Sequence, residues 1–176
     1  MAHHPDPAAH AEQVRRYLEK SEEIRDLSLV GIPLGSLDLR GKRIHACNLS
    51  RAVLKGARFD GATFRLVFLD FAELTECSFQ GSVMHCAVFA GATIHGCDFS
   101  GSELLRCNFN GADCSDTRFD ESDLYASRMI NATLVTPGFR DCNLKQVRFE
   151  HARISGADFR SSNTEDAFFL EPGGAR

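Results

Sequence analysis

The sequence predicts an all-β solenoid, a square-sectioned β-helix of about seven 20-residue coils with an α-helix capping its N-terminal end. Three regularities predict it. A large apolar residue returns at every fifth position from Leu29 to Phe169 without an insertion or deletion, a small residue stands two places before it, and Phe returns at every twentieth.

The five-residue series runs Leu29, Leu34, Leu39, Ile44, Leu49, Leu54 and Phe59, and continues in step to Phe169, with Thr164 its one clearly polar member. The small positions include Ala57, Ala62, Cys77, Cys97 and Ala112, and Gly recurs one place earlier at Gly56, Gly61, Gly81, Gly91 and Gly101. Such a period fits neither the 3.6 of an α-helix nor the 2.0 of a flat strand. It fits a chain that turns a corner with each step, sending one large and one small side chain inward, with Gly easing the bend. The number of sides follows from Phe59, Phe79, Phe99, Phe119, Phe139 and Phe159, which recur at twenty, four fives, and so predict one ladder of rings up a single face. With coils spaced like neighbouring strands, at roughly 4.8 Å, the stack is about 34 Å tall.

Along the chain, residues 7–26 break the period and read as a helix, with Asp6 as N-cap, Pro7 in the first turn, and Val14, Tyr17, Leu18, Ser21 and Ile24 on one stripe. A solenoid must cover its open end, so this helix is expected over the first coil around Ile32 and Leu37, with partner binding as its alternative use. The division is therefore 1–27 for the N-terminal arm and capping helix, 28–170 for the β-helix, and 171–176 for a C-terminal tail. Pro137-Gly138 occupies a small-then-polar pair of positions, and loss of the proline donor predicts a local bulge or altered turn. Phe168, Phe169 and Leu170 end the apolar series, and they either fold over the last coil or meet a second chain in a homodimer.

The step small–polar–Leu/Phe–polar–Gly, as in Ala57-Arg58-Phe59-Asp60-Gly61 and Cys97-Asp98-Phe99-Ser100-Gly101, resembles the pentapeptide-repeat family. The resemblance covers roughly residues 28–170 and implies a right-handed quadrilateral β-helix. It implies no single function. Some members bind DNA gyrase or topoisomerase IV and protect it from quinolones by imitating duplex DNA, and no residue-level active site carries over from the family.

The totals exclude several classes. A net charge of −4 offers no basic stripe for direct nucleic-acid binding, and no apolar run is long enough to cross a bilayer. Residues 1–10 lack the apolar core of a signal peptide, so a cytoplasmic location is expected. Fourteen Phe and no Trp indicate aromatics used for bulk. Seven Cys with no CxxC pair read as reduced thiols packed as small hydrophobes, with Cys77 above Cys97 inside the coil. Residues 35–43 (GSLDLRGKR) approximate a phosphate loop, but with one residue too many between the glycines and Arg43 where Ser or Thr belongs. His45 and His85 share an outward column two coils apart, about 10 Å, too far for one metal. The expectation is a protein that is not an enzyme and takes no cofactor or metal.

What remains is the outer surface. Outward positions on the Phe-ladder face carry Asp38, Asp60, Asp98, Asp120, Glu121, Asp141 and Asp158 against Arg40, Arg58, Arg118, Arg140 and Arg160, a mixed stripe laced with ion pairs. One corner differs. Leu66, Phe68 and Phe71 point outward there, with Cys86 and Val88 one coil up and Val83 and Leu105 close by. Either the N-terminal helix or a loop covers this corner, or it is a protein interface. The function expected is a protein-interaction module or scaffold for an unidentified protein partner. The alternative is a DNA mimic that binds a type II topoisomerase, from whose pattern the chain departs in its modest charge, its interspersed arginines and its lack of projecting loops.

Overall fold

Each five-residue step turns one corner of the coil because the residue at the bend adopts a left-handed backbone conformation. The computed structural model describes residues 7–170, so Asp6, read as the helix N-cap, and the 171–176 tail lie outside the described residues. The corner φ is positive both where the bend is glycine, as at Gly61 (65°), and where it is not, as at Leu66 (54°) and Phe71 (56°). A left-handed non-glycine residue costs about 1–2 kcal/mol, which the hydrogen-bond ladder on both sides of the corner must offset.

Between corners the backbone is extended, and its polar groups point alternately up and down the stack. Leu69 N donates to Val88 O (2.7 Å) in the coil above, while Phe68 N donates to Cys47 O (3.1 Å) in the coil below. The register is twenty residues throughout, as in Ile44 beside Phe64 and Met84 beside Leu104. Strands β1 (Glu23–Arg25), β2 (Arg43–His45), β3 (Thr63–Arg65), β4 (Val83–His85) and β5 (Glu103–Leu105) form a five-stranded parallel sheet up one face. On the opposite face β6 (Thr133–Val135) pairs with β7 (Arg153–Ser155), and elsewhere single parallel bridges such as Asp98 to Arg118 carry the ladder. The result is a right-handed quadrilateral β-helix of about seven turns.

The predicted ring ladder fills one side of the core. Phe59, Phe79, Phe99, Phe119, Phe139 and Phe159 stack at successive centroid distances of 4.8, 4.5, 5.3, 5.1 and 5.3 Å. A second ladder faces it: Phe89 stacks on Phe109 and Phe149 on Phe169, each at 4.8 Å. The two meet edge-on, for example Phe89 against Phe99 at 5.9 Å and 89°. The small inward slots form columns of their own, and Ala57, Cys77, Cys97 and Thr117 are buried one above the other. Thr117 satisfies its hydroxyl by donating to Ile94 O (2.6 Å).

Three expectations need correction. Helix α1 (Pro7–Lys20) stops well short of residue 26, and Ile24 lies buried in β1 beside Ile44 rather than on the helix stripe. Ile24 stands five before Leu29, so the solenoid period begins one step earlier than the apolar series that starts at Leu29. Pro137 causes no bulge: Thr136 N donates to Ser155 O (2.7 Å), Phe139 N to Asp158 O (3.0 Å), and Gly138 bridges both Arg118 and Asp158. Its slot is one whose N–H stays out of the backbone ladder between coils, bonding locally or, at Cys107 and Cys142, to a Ser hydroxyl one coil above. At Ala132, for instance, that N–H makes only a local bond to Met129 O (3.1 Å), so proline forfeits one turn bond and fills the buried position. Finally, Phe168, Phe169 and Leu170 do not fold over the last coil. They form its final side, with Phe168 N donating to Val147 O and His151 N to Leu170 O.

The helix lies under the first coil. Leu18 and Ala11 are buried and Val14 packs against the same core, while Arg15 donates to Ser36 O (2.9 Å) and Glu19 accepts from Asp38 N (3.4 Å). Leu37 is buried and Ile32 partly buried at the base of the stack, as expected of a capped end.

Candidate functional site

The face next to the β1–β5 face, from its corner at Leu66 to its corner at Phe71, carries the largest exposed apolar groups away from the two ends. Leu66 is 59%, Phe68 46% and Phe71 61% exposed. Phe68 pairs in register with Val88, and His85 with Leu105, so the twenty-residue coil brings Leu66, Phe68, Phe71, Val88 and Leu105 into one strip spanning three coils. Cys86 is exposed within it, and Val83, Val88 and Leu105 are half-buried at its margins. Helix α1 does not cover the strip, because its contacts run to Ser36 and Asp38 under the first coil.

Phe71 is held in place although it is exposed. Its ring lies against Gly91, the corner residue one coil above, so closely that a Cβ on Gly91 would stand 2.5 Å from the ring. From below, the guanidinium of Arg51 lies 5.7 Å from the ring centre. A glycine seat and a cationic underside thus orient an aromatic plane toward solvent. Leu66 and Phe71 both occupy left-handed corners that glycine would take without strain, so neither is the residue the backbone alone would favour.

The Phe-ladder face is electrostatically closed. Arg40 pairs with Asp38, Arg118 with Asp98 (3.0 Å), Arg140 with Asp120 (3.2 Å), Arg160 with Asp158 and Arg58 with Asp60 (3.7 Å). The guanidinium hydrogen-bonded to Asp38 holds its carboxyl at about 2, and Arg160 does the same for Asp158. Asp120 also accepts from Arg140 N (2.8 Å) and occupies the space a side chain at Gly138 would need, with its Oδ1 2.8 Å from an added Cβ. Five acids of this face are thus spoken for within the chain, while Glu121 and Asp141 are exposed and have no ion-pair partner among the described residues.

The C-terminal end of the stack is open among the described residues. Phe169 stacks on Phe149 with one face of its ring, and Phe168, Phe169 and Leu170 remain 51%, 47% and 37% exposed. A concavity of about 790 Å³, lined by Val135, Phe149, Ile154, Phe159, Phe169 and Leu170, lies there.

Apart from the exposed Cys86, groups with reactive potential are packed away or far apart. Burial pushes the Cys107 thiol up to about 12 and raises Cys97 and Cys114 further, which keeps them protonated and unreactive. Cys97 neighbours Cys77, as the stacking predicts, and no described cysteine is disulfide-bonded. His45 and His85 are separated in register by Arg65. Among the described residues no group of three or more His, Cys, Asp or Glu is placed to hold a metal ion, and no helix is long and apolar enough to cross a membrane.

Sequence models of known families match most of the chain. One described as pentapeptide repeats (8 copies) matches residues 43–81 and 69–101, and one described as a pentapeptide repeat region matches residues 102–171. No curated protein sequence matches. Among solved structures, a pentapeptide repeat protein (Rfr23) from the cyanobacterium Cyanothece 51142 is similar at 15% identity, over 90% of this chain and 99% of that one, with a TM-score of 0.54. QnrB1, a plasmid-mediated fluoroquinolone resistance protein, is similar at 15% identity over 85% and 90% of the two chains, with a TM-score of 0.53. At such identities the likeness is one of fold.

Proposed function

The chain belongs to the pentapeptide-repeat family, and from that premise we propose that it is a non-catalytic, cytoplasmic interaction scaffold that captures a protein partner on the corner formed by Leu66, Phe68, Phe71, Val88 and Leu105. The observation that carries this reading is Phe71, an exposed ring seated on Gly91 and backed by Arg51. An aromatic plane fixed before binding loses little conformational freedom on contact, which is the character of an interface anchor. The side faces offer no alternative through the backbone, because their N–H and C=O groups are used between coils. Substituting Phe68 and Phe71 together by Ser is expected to abolish partner capture in a pull-down while leaving the circular dichroism spectrum and melting temperature within a few degrees of wild type. Undiminished capture by the double variant sinks this reading, and a collapsed melting temperature shows the two rings to be core.

A second reading, topoisomerase protection by DNA mimicry, rests on the shared fold with QnrB1. Against it stand the ion pairs of the Phe-ladder face, since a mimic draws a basic saddle with free carboxylates. Its test is gyrase supercoiling with and without a fluoroquinolone. Interaction through the corner predicts no rescue at equimolar protein, and restored supercoiling reverses the order of the two readings.

The open C-terminal end completes the proposal. Half-exposed Phe168, Phe169 and Leu170 around an apolar concavity suit a second copy of the same end, giving a two-fold homodimer. Sedimentation of the wild type is expected to give a dimer that Phe169→Glu converts to monomer. A wild-type monomer at micromolar concentration rejects it.

A further inference from the structure

The arginines of this protein divide into two populations. On the Phe-ladder face Arg40, Arg58, Arg118, Arg140 and Arg160 each have a carboxylate partner. Arg43 stands in register beside Glu23, but around the apolar corner Arg51, Arg65 and Arg106 are exposed and have no ion-pair partner among the described residues. The acids nearest them in the coils are engaged: Asp70 accepts from Ser50 Oγ (2.7 Å), and Glu103 lies 3.5 Å from His85 Nε2. Three arginines against those two acids leave this strip at +1, on a chain whose net charge is −4.

Placement sharpens the point. Arg65 borders the strip on the β1–β5 face, Arg106 continues the corner column of Leu66 and Cys86, and Arg51 lies beneath Phe71. An apolar strip is thus rimmed by cations that the chain itself leaves uncompensated. The occupant that complements it is apolar along one line and acidic on both sides of it. The occupant cannot add a strand, because the ladder here is saturated by bonds such as Leu69 N to Val88 O and Phe71 N to Ala90 O (2.9 Å). A helix laid along the stack follows the columns Leu66–Cys86 and Phe68–Val88, since its 5.4 Å pitch is close to the roughly 4.8 Å between coils and successive turns meet successive coils.

We propose that the corner receives an acidic amphipathic helix of a partner protein, its apolar stripe along the Leu66–Cys86 and Phe68–Val88 columns, edged by Phe71, and its Asp or Glu flanks against Arg51, Arg65 and Arg106. This rests on the reading of the corner as a partner site, and it names the partner's chemistry. Four aliphatic or half-buried groups in the strip, Leu66, Val83, Val88 and Leu105, favour a protein over the stacked bases of a single-stranded nucleic acid.

The test is phage display of random 16-residue peptides on the wild-type protein, counter-selected on the Phe68→Ser/Phe71→Ser variant. The expected survivors carry a net charge of about −3 or below with apolar residues at i, i+3 or i+4, and i+7. Synthetic copies are expected to lose at least about tenfold in affinity on Arg65→Glu/Arg106→Glu at low salt, with the difference shrinking toward 0.5 M salt. Survivors that depend on Phe68 and Phe71 but are neutral or basic overturn the acidic helix and leave the partner site standing. No survivor that depends on those rings overturns both. A single-stranded RNA 20-mer that displaces the selected peptides and itself requires Phe68 and Phe71 replaces the helix with nucleic acid.

Discussion

Replacing Phe99 by Ala is expected to lower the unfolding free energy by about 3–5 kcal/mol, with a fall in Tm on the order of 10 °C. The ring is fully buried between Phe79 (4.5 Å) and Phe119 (5.3 Å) and is met edge-on by Phe89 (5.9 Å) and Phe109 (6.0 Å). Its removal therefore leaves a void touching both ladders. A globular core can relax into such a space, but here the coils are held apart by the backbone. Phe79 N bonds to Asp98 O and Phe99 N to Arg118 O, both at 2.7 Å, so the rungs above and below cannot close without breaking the register. Phe99→Leu, which keeps most of the volume, should cost about 1 kcal/mol. Urea unfolding of the three proteins measures the difference, and a loss of less than 1 kcal/mol for the alanine variant shows that the ladder does not carry the stability assigned to it.

That prediction was available before the structure, because Phe59 to Phe159 recur at twenty without a gap and stacked coils place like on like. The second ladder escaped the same reasoning. Phe89, Phe109, Phe149 and Phe169 obey the period too, but Met129 interrupts them, and a broken run is weak evidence for a shared column. Ile24 fits a helical stripe because it also falls at helical spacing from Tyr17 and Ser21, and only its pairing with Ile44 decides between the two periods. The corner strip was legible because register alone sorts Leu66, Phe68 and Phe71 outward. The seat of Phe71 on Gly91 was not, since it depends on which way a ring at a left-handed corner turns. Nor was the division of the arginines. Alternating acids and bases along one face suggest pairs, but the unpaired state of Arg65 follows from its column, His45 below and His85 above, which a linear charge count does not resolve.

Replacing Leu18 by Ala tests the opposite regime, an end of the stack rather than its middle. Leu18 is the one large side chain that α1 buries completely; Ala11 is small and Val14 only partly buried. The polar ties, Arg15 to Ser36 O and Glu19 to Asp38 N, lie near the surface and contribute about 0.5–1.5 kcal/mol each at most. Truncation at Leu18 removes about 2–5 kcal/mol from the docking of the cap, more than those ties supply. An isolated helix of 14 residues is marginal in water, so an undocked α1 unfolds. Because each coil of a solenoid touches only its neighbours, the damage should stay local. Hydrogen exchange is expected to show the amides of Leu29 and Leu34, bonded to Asn48 O and Val53 O, losing protection while those of Phe79 and Phe99 keep theirs. The helical signal at 222 nm should melt ahead of the main transition. If the central amides accelerate in step with the first coil, the stack unfolds as one unit and the cap stabilises the whole of it; if they do not, α1 protects only the edge it covers.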